Sequence, residues 1–377
     1  MRKPKVVTFV GTRPEIIRLS RLIPSLDKTT NHILVHTGQN YDHQLNEVFF
    51  EDLNLRIPDY FLNVDTSSLG SMMGDILKKA ENLLIREKPD AFVVLGDTNS
   101  AIAAVMAKRL QIPVYHLEAG NRSFDQNVPE EVNRKLIDHI ADFNLPYNTW
   151  SFNNLISEGV HPRTMIKTGS PMKEILDFYS DEIERSAILS TLELAENEFF
   201  LVSMHRQENV DSKERLQSLI ASLISVREIW NKPILVSTHP RTKSKLSELL
   251  DNRQIPGILF HEPFGFLDYI KLQKSALCVL SDSGTISEES AILGFKAITI
   301  RDSMERPEAL EAGQILLSGI HPETIENAIR ITLEGSPPLI QPDGYEVDNF
   351  SERVVRFIFS TYDKHHDWFG IRKNDNP

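Results

Sequence analysis

The chain of 377 residues has little of what defines several common protein classes. Its single cysteine, Cys278, excludes an internal disulfide framework and a zinc site built from several cysteines. No apolar run approaches the roughly 18 residues of a membrane-spanning helix, and the run 6–10 ends too early for a signal peptide. Positive charge is in deficit, since 41 Lys and Arg against 53 Asp and Glu give a net charge of −12, which repels nucleic acid. We therefore expect a cytoplasmic protein that binds neither nucleic acid nor a membrane.

The hydrophobic pattern predicts an α/β fold. With 41% hydrophobic and 25% charged residues, the composition is that of a globular protein. Short β-branched runs alternate with longer amphipathic segments, a pattern typical of parallel strands joined by crossover helices. The predicted strands are 5–10, 33–36, 91–95, 114–117, 143–146, 165–167, 199–204, 233–238, 257–260, 277–280 and 297–300. The predicted helices are 14–26, 71–86, 99–109, 130–140, 212–229, 242–250, 266–273 and 286–293.

The alternation restarts after about residue 172, which favours two doubly wound domains over one barrel. A barrel would need one set of eight units in about 250 residues, and periodicity alone does not exclude it. The turn-rich segment 169–171 is the predicted join, giving domains 1–172 and 173–350, with a terminal helix and polar tail at 351–377. In such domains ligands bind beyond the carboxyl ends of the strands, here in the cleft between the two sheets.

In the first domain, polar segments directly follow two of the predicted strands. The segment 11–15, GTRPE, predicts a backbone anion pocket at the start of a helix, to which Arg13 and Arg18 add positive charge. It differs from the G-x-G-x-x-G fingerprint, so NAD binding gains no support. After the strand 91–95 comes Asp97, which taken alone is interpreted as a helix N-cap.

The segment 116–134 is the richest in chemically useful side chains. Glu118 ends an apolar strand, whereas Glu130 opens a helix that also carries Arg134. Carboxylates in a first helical turn are often no more than partners of the helix dipole. Two acids brought together from different segments are, however, what general acid/base catalysis requires. We therefore predict a catalytic role for Glu118 and Glu130.

In the second domain, two further post-strand segments predict binding of a phosphorylated ligand. His205 follows the first strand, where a structural and a functional histidine are equally compatible with the pattern. The segment 281–289, SDSGTISEE, offers small residues at a helix start that suit a diphosphate. Glu289 stands one turn further on, at a position that suits ribose hydroxyls. The segment 305–308, ERPE, adds Arg306.

Neither a metal nor a redox cofactor is expected. No H-E-x-x-H spacing is present, and His116, His139 and His205 come from separate predicted elements. Walker A and G-x-S-x-G sequences are absent as well. Cations concentrated in post-strand loops of an acidic protein favour an anionic small molecule as the ligand. These cations are Arg13, Arg18, Arg122, Arg134, Arg206, Arg241, Lys243 and Arg306.

Together these segments resemble the non-hydrolysing UDP-N-acetylglucosamine 2-epimerase family. The matching segments occur in the family's order, over about 300 residues: 11–15, 96–98, 116–120, 129–131, 133–134, 205–206, 282–284 and 305–308. The resemblance implies a GT-B-like fold of two Rossmann-type domains, with the nucleotide mainly on the second. By the same resemblance, the terminal helix in 351–377 crosses back to the first domain. It also implies an isomerase that inverts C2 of a UDP-N-acetylhexosamine by anti elimination of UDP and re-addition. A homodimer is expected.

The resemblance assigns roles by position. The implied catalytic group is Asp97, Glu118, Glu130 and His205. The implied substrate-binding residues are Arg13, Arg18, Arg134, Ser283, Gly284, Thr285, Glu289 and Arg306. The chain departs from the family pattern in three places: Arg18 replaces a lysine, Thr285 replaces a glycine, and the loop 121–128 is shorter.

Substrate and reaction type leave alternatives open. The segments 11–20, 121–125 and 303–310 are closer to a capsule and O-antigen subgroup that converts UDP-2-acetamido-2,6-dideoxy-L-talose to UDP-N-acetyl-L-fucosamine. A glycosyltransferase of the same fold, a hydrolysing epimerase and a non-catalytic UDP-sugar sensor are the competing functions, because fold alone does not dictate chemistry.

Overall fold

The computed structural model describes residues 2–39, 50–204, 206–238, 240–250, 254–335 and 340–372. The chain forms two compact units. The first comprises Met1–Asp177 and Val347–Pro377, and the second comprises Phe178–Glu346. The last thirty-odd residues therefore return to the first unit after the second is complete.

The first unit is built on a parallel sheet of six strands in the order β3-β2-β1-β4-β5-β6. Its strands are β1 (Lys5–Val10), β2 (Asn31–His36), β3 (Tyr60–Phe61), β4 (Ala91–Leu95), β5 (Val114–Leu117) and β6 (Phe143–Leu145). Its helices are α1 (Arg13–Leu19), α2 (Leu22–Thr29), α3 (Leu69–Glu87), α4 (Ala104–Arg109), α5 (Glu130–Ile140), α6 (Thr149–Ser157) and α7 (Met172–Phe178). From β1 the chain adds β2 and β3 on one side of the sheet, and from β4 it adds β5 and β6 on the other side. The strand order therefore reverses between β1 and β4, which is where doubly wound sheets bind ligands.

The second unit repeats this plan, with the parallel order β12-β11-β10-β7-β8-β9. Its strands are β7 (Phe200–Ser203), β8 (Ile234–Ser237), β9 (Ile258–His261), β10 (Cys278–Ser281), β11 (Ala297–Thr299) and β12 (Leu316–Leu317). Its helices are α8 (Ser180–Arg185), α9 (Ile188–Thr191), α10 (Gln207–Val210), α11 (Lys213–Trp230), α12 (Pro240–Leu250), α13 (Phe266–Ser275), α14 (Ile286–Leu293), α15 (Pro307–Glu311) and α16 (Pro322–Glu334). The order reverses between β7 and β10, so their carboxyl ends hold the corresponding position.

The central strands of both sheets are buried on both faces, which explains why they are nearly continuous apolar runs. Every residue of β4, AFVVL, is buried. The same holds for β10, CVLS, which includes Cys278. Since helices cover both faces, polar side chains concentrate at the strand ends, and the sites of chemical interest are therefore confined there.

The terminal helix α17 (Phe350–Thr361) packs against α2 in the first unit. The hydroxyl groups of Tyr115 and Thr361 lie 2.7 Å apart in the buried interface. At the start of the helix, the backbone N–H of Ser351 donates to Glu174 at 2.8 Å. The short helix α18 (His365–Phe369) follows, and His365 lies 2.9 Å from Asp142. These contacts make the chain terminus part of the first unit.

The predicted parallel α/β fold is confirmed, with local differences. The predicted helix 14–26 is two helices that part at Ser20 and Arg21, because Pro24 lies in the first turn of α2, where its missing N–H costs no hydrogen bond. The predicted strand 165–167 is wrong, since Met165 forms only an isolated bridge with Asn144. Among the residues that the model describes, no helix combines the length and the apolarity needed to cross a membrane.

Gly169 offers a test of how the returning chain packs. It has φ +81°, and a Cβ added to it would lie 2.3 Å from Cγ2 of Val347. We expect Gly169→Ala to lower the free energy of unfolding by roughly 2–4 kcal/mol, from left-handed strain plus overpacking. Urea unfolding followed by circular dichroism measures the loss. Gly159→Ala is the matched control, since Gly159 has φ +89° but open space around it, so it should lose only about 1–2 kcal/mol. Equal losses would contradict the packing explanation.

Candidate functional site

The candidate site in the first unit lies at the carboxyl ends of β1, β4 and β5, which are neighbours in the sheet. Because parallel strands end at the same edge, the three loops that follow them lie side by side. These loops begin at Gly11, Gly96 and Glu118. Helix α5 adds Glu130, Glu131 and Arg134 from its first turns.

Glu15 ties the first two of these loops together. Its Oε2 accepts hydrogen bonds from the backbone N–H of Gly11 at 2.9 Å and from the hydroxyl of Thr12 at 2.8 Å. Its Oε1 accepts a bond from the hydroxyl of Ser100, which belongs to the loop after β4. Burial raises the pKa of Glu15 against the opposing effect of these donors. Glu15 was part of a recognised segment, but nothing local in the sequence indicates its partner Ser100.

Arg18 and Glu118 form a nearly buried ion pair. Arg18 Nη1 lies 3.2 Å from Glu118 Oε2, and the two side chains are 5% and 14% exposed. Asn121 donates from Nδ2 to Glu118 Oε1 at 3.0 Å, so both carboxylate oxygens have a polar neighbour. The guanidinium of Arg18 also lies 5.8 Å from the ring centre of Tyr147. The structure therefore brings together a predicted catalytic acid and a predicted substrate-binding cation.

Asp97 and Arg134 form a second pair. Arg134 Nε and Nη2 lie 2.7 and 2.6 Å from Asp97 Oδ2, and Arg134 Nη1 lies 3.1 Å from Glu131. Asn133 donates to the backbone carbonyl of Asp97 at 2.9 Å. The interpretation of Asp97 as an N-cap is wrong, because the following 3₁₀ turn, Asn99–Ala103, has Thr98 at the N-cap position. The carboxylate is held by a helix that is remote in sequence.

Glu130 and Arg13 stand apart from these two pairs. Glu130 is the first residue of α5 and is half-buried. Arg13 is the first residue of α1 and is also half-buried. Both side chains are therefore partly accessible to solvent.

Arg122 is not an available cation, contrary to the prediction from its loop position. Its side chain is fully buried and pairs with Asp138 Oδ2 at 2.7 Å. It also binds Glu158 through two hydrogen bonds of 2.8 and 2.5 Å. These bonds lower the pKa of Glu158. Neither partner was predicted, since Asp138 lies two turns beyond the motif at the start of α5 and Glu158 follows the end of α6.

In the second unit, Asp282 joins the loops after β7 and β10. Its Oδ2 accepts from the backbone N–H of Arg206 at 3.0 Å and from Nδ2 of Asn209 at 3.2 Å. Asn209 also donates to the carbonyl of Ile300, just past β11. One carboxylate and one amide therefore hold the ends of three neighbouring strands together. Asn209 was not predicted.

The predicted diphosphate loop is organised by its own hydroxyl groups. The N–H of Ser283 donates to Ser281 Oγ at 3.0 Å, and the hydroxyls of Ser283 and Thr285 lie 3.0 Å apart. A Cβ added to Gly284 would lie 3.5 Å from Arg206 Nη2, so the guanidinium approaches the glycine closely. Arg206 Nη2 lies 3.5 Å from Glu305. Small loop residues and a cation thus meet at the start of α14.

Glu289 and Arg306 are both buried and paired. Glu289 accepts a hydrogen bond from Gln273 Nε2 at 2.6 Å. Arg306 Nη2 lies 2.8 Å from Glu288, whose side chain is fully buried. The structure brings Arg306 to Glu288 and not to Glu289. His205, the fourth predicted catalytic residue, lies outside the described residues.

The family model and the solved structures that match this chain indicate the same family. The family model described as UDP-N-acetylglucosamine 2-epimerase matches residues 25–359. A solved structure of UDP-N-acetylglucosamine 2-epimerase from Rickettsia bellii is 42% identical, with a TM-score of 0.90, covering 98% of this chain and 100% of that one. The Methanocaldococcus jannaschii UDP-GlcNAc 2-epimerase, solved in complex with UDP-GlcNAc and UDP, is 38% identical, with a TM-score of 0.89, covering 94% and 99%.

One relative is named for a different substrate. The UDP-2,3-diacetamido-2,3-dideoxy-D-glucuronate 2-epimerase of Pseudomonas aeruginosa is 32% identical over 361 residues, which are 94% of this chain and 99% of that protein. The predicted GT-B-like fold class is confirmed by the likeness to the solved epimerases.

The burial of Glu15 predicts a pH effect on stability. Its pKa is raised on folding, so the folded state holds a proton that the unfolded state releases, and stability falls as pH rises from about 4.3 through the folded pKa. Glu15→Gln removes this titration. We expect the difference in free energy of unfolding, wild type minus Glu15→Gln, to decrease as the pH rises across this interval. Urea unfolding of both proteins at each pH measures the difference, and a difference that is flat or rises with pH would contradict the raised pKa.

Proposed function

This chain belongs to the UDP-N-acetylglucosamine 2-epimerase family, a family of isomerases, and from that premise we propose that it inverts C2 of a UDP-N-acetylhexosamine without hydrolysing it. The observation that carries the proposal is the pair of acid-bearing loops at adjacent strand ends. Asp97 follows β4 and Glu118 follows β5, each within 3.2 Å of an arginine. Relatives named as UDP-N-acetylglucosamine 2-epimerases align with nearly the whole chain.

The names of the relatives favour UDP-N-acetylglucosamine as the substrate of this chain. The P. aeruginosa relative, named for a diacetamido glucuronate, indicates that the family accommodates changes at C3 and C6 of the sugar. The resemblance of three segments to the fucosamine-forming subgroup makes UDP-2-acetamido-2,6-dideoxy-L-talose the alternative substrate. The role in capsule or O-antigen synthesis and the homodimer stay predictions.

The proposed chemistry is an anti elimination. C2 has no neighbouring carbonyl to stabilise a carbanion, so direct deprotonation would be too costly. Instead, the C2 proton leaves as the bond from C1 to the UDP oxygen breaks, giving a 2-acetamidoglycal and UDP. UDP then adds back to C1 while a proton is delivered to the opposite face of C2. Two acid/base positions and a stabilised leaving group are therefore required.

The acids of the first unit are proposed to supply these positions. Asp97, Glu118 and Glu130 share deprotonation, reprotonation and stabilisation of the oxocarbenium-like transition state. Glu130, half-buried and open to solvent, contrasts with Glu118, whose charge is balanced by Arg18. Arg13 and Arg134 are proposed to contact the substrate. His205 is proposed to assist proton transfer or the diphosphate.

The second unit is proposed to hold UDP. The hydroxyls of Ser283 and Thr285 and the backbone at Gly284 suit a diphosphate at the N-terminus of α14. Glu289 is proposed to accept from the ribose hydroxyls. Arg306 is proposed to contribute charge near the substrate while it remains paired with Glu288. Arg206, beside Gly284, is a further candidate for the leaving diphosphate.

Turnover in D2O tests the elimination route. We expect deuterium at C2 of both epimers, because the proton removed in the first half-reaction exchanges with solvent before it returns. Proton NMR of the purified protein with UDP-N-acetylglucosamine, and separately with the 6-deoxy-L-talose analogue, measures the exchange. Retention of protium at C2 in both epimers throughout turnover would contradict the route.

The same spectra separate the competing functions. An epimerase turns over with the UDP-sugar alone, whereas a glycosyltransferase needs an acceptor. A hydrolysing enzyme accumulates free sugar and UDP. A UDP-sugar sensor binds without any turnover.

Replacing the acid at the end of β5 tests its catalytic role. We expect Glu118→Gln to lower kcat by about 10²-fold or more, as is typical when a general acid or base is lost. A steady-state assay at saturating UDP-N-acetylglucosamine measures this loss. Glu81→Gln on α3 is the matched control, because Glu81 is an exposed carboxylate of the same unit, and it should leave kcat unchanged. Near wild-type turnover in Glu118→Gln would remove Glu118 from the mechanism.

A further inference from the structure

A buried histidine lies beneath the two loops that carry Asp97 and Glu118. The ring of His116, in β5, is 1% exposed. Its Nδ1 lies 2.8 Å from Asp138 Oδ1 on α5. Its Nε2 lies 2.8 Å from the backbone carbonyl oxygen of Gly96, the residue before Asp97. One imidazole therefore links the end of β4 to helix α5.

The partners of His116 determine which protons it carries. A backbone carbonyl only accepts hydrogen bonds, so Nε2 must be protonated. Asp138 also accepts from the N–H of Gly120, at 3.2 and 3.1 Å to its two oxygens, and pairs with Arg122 at 2.7 Å. Asp138 thus joins the ring of His116 to the backbone N–H of Gly120 and to the guanidinium of Arg122.

The cluster around His116 is buried and internally paired. The side chains of His116, Asp138 and Arg122 are at most 1% exposed, and Arg122 also binds Glu158 at 2.5 Å. His139, half exposed, faces Glu158 at 3.3 Å. A buried polar group is tolerated only when it is hydrogen-bonded, and each of the three buried groups meets that condition.

This cluster, through Asp138, contacts the backbone of the loop that carries Glu118. Glu118 has φ +63°, a left-handed conformation that is strained for a residue other than glycine. Gly120 has φ +82°, which glycine adopts freely. The Gly120 N–H is held by Asp138, and a Cβ on Gly120 would lie 2.2 Å from the carbonyl oxygen of Ser151. A strained backbone of this kind persists only where its surroundings determine it.

We propose that His116 and Asp138 form a buried hydrogen-bonded pair that positions the two acid-bearing loops relative to each other. His116 holds the β4 loop through the Gly96 carbonyl, and Asp138 holds the β5 loop through the Gly120 N–H. Both are positioning residues, since neither is open to solvent at the strand ends. The inference rests on the proposed function only in taking Asp97 and Glu118 as the reacting acids.

Nitrogen-15 NMR tests the protonation of Nε2 without any substrate. Because Nε2 of His116 faces the carbonyl oxygen of Gly96, which only accepts hydrogen bonds, we expect Nε2 to carry a proton that exchanges slowly with water. The His116→Asn variant assigns this signal by its loss. A slowly exchanging Nε2–H supports the pair, and an unprotonated Nε2 would overturn it.

Paired variants test the positioning role. Asn keeps a donor towards Asp138 but loses the bond to Gly96, whereas Gln places its amide where Nε2 stood and can restore that bond. We expect His116→Asn and Asp138→Asn to lower kcat about tenfold or more, as is typical of a displaced catalytic group. We expect KM to change less than about threefold, and His116→Gln to recover part of the lost kcat. Rates are referred to folded protein, measured by circular dichroism in the same samples.

Asp27→Asn is the matched control, because Asp27 pairs with the buried His32 at 2.6 Å near the start of β2, at the opposite end of the same sheet. It should reduce stability while leaving kcat per folded protein unchanged. Wild-type kcat in Asp138→Asn, or an equal fall in Asp27→Asn, would overturn the positioning role. If the wild type shows no C2 exchange, the proposed function fails, whereas the Nε2–H signal of His116 still decides whether the hydrogen-bonded pair exists.

Discussion

The structure depends on the neutralisation of carboxylates at the buried carboxyl edge of a parallel sheet. Helices cover both faces of this sheet, so an acid at a strand end is largely removed from water. Glu118, Asp97 and Asp138 are each met by an arginine within 3.2 Å. Each arginine comes from a different helix or loop from that of its acid. The ion pairs therefore also fix the relative positions of the elements that carry them.

Glu15 differs from these three acids because its hydrogen-bond donors are uncharged. It receives hydrogen bonds from one backbone N–H and two hydroxyls but no ion pair from an arginine or lysine of the described residues, and burial raises its pKa. Uncharged donors compensate less of the desolvation of an anion than a guanidinium does. The same sheet edge thus holds acids of two kinds. The acids beside β4 and β5 are paired with arginines, whereas the acid whose pKa burial raises ties the β1 loop to the β4 loop.

The second unit uses the same architecture for another purpose. Asp282 and Asn209 hold three strand ends through neutral donors, and the hydroxyls of Ser283 and Thr285 face each other at the start of α14. Arg306 is paired with the buried Glu288. A loop of small residues and N–H groups suits a phosphorylated ligand. Under the proposed function, the second unit binds the diphosphate and the first unit supplies the acids.

The sequence by itself determined the α/β class, most strand positions and the loops that hold polar side chains, since these follow from the local spacing of apolar residues. Helix α5 and strand β4 have the predicted bounds. It did not reveal that Arg122 is buried, that Asp97 binds Arg134 rather than capping a helix, or that Asp138 contacts both His116 and Gly120. These contacts and this burial are decided by the tertiary structure alone. Periodicity is a property of neighbouring residues, but the partner of a charge is selected by whichever distant element the folded sheet places beside it.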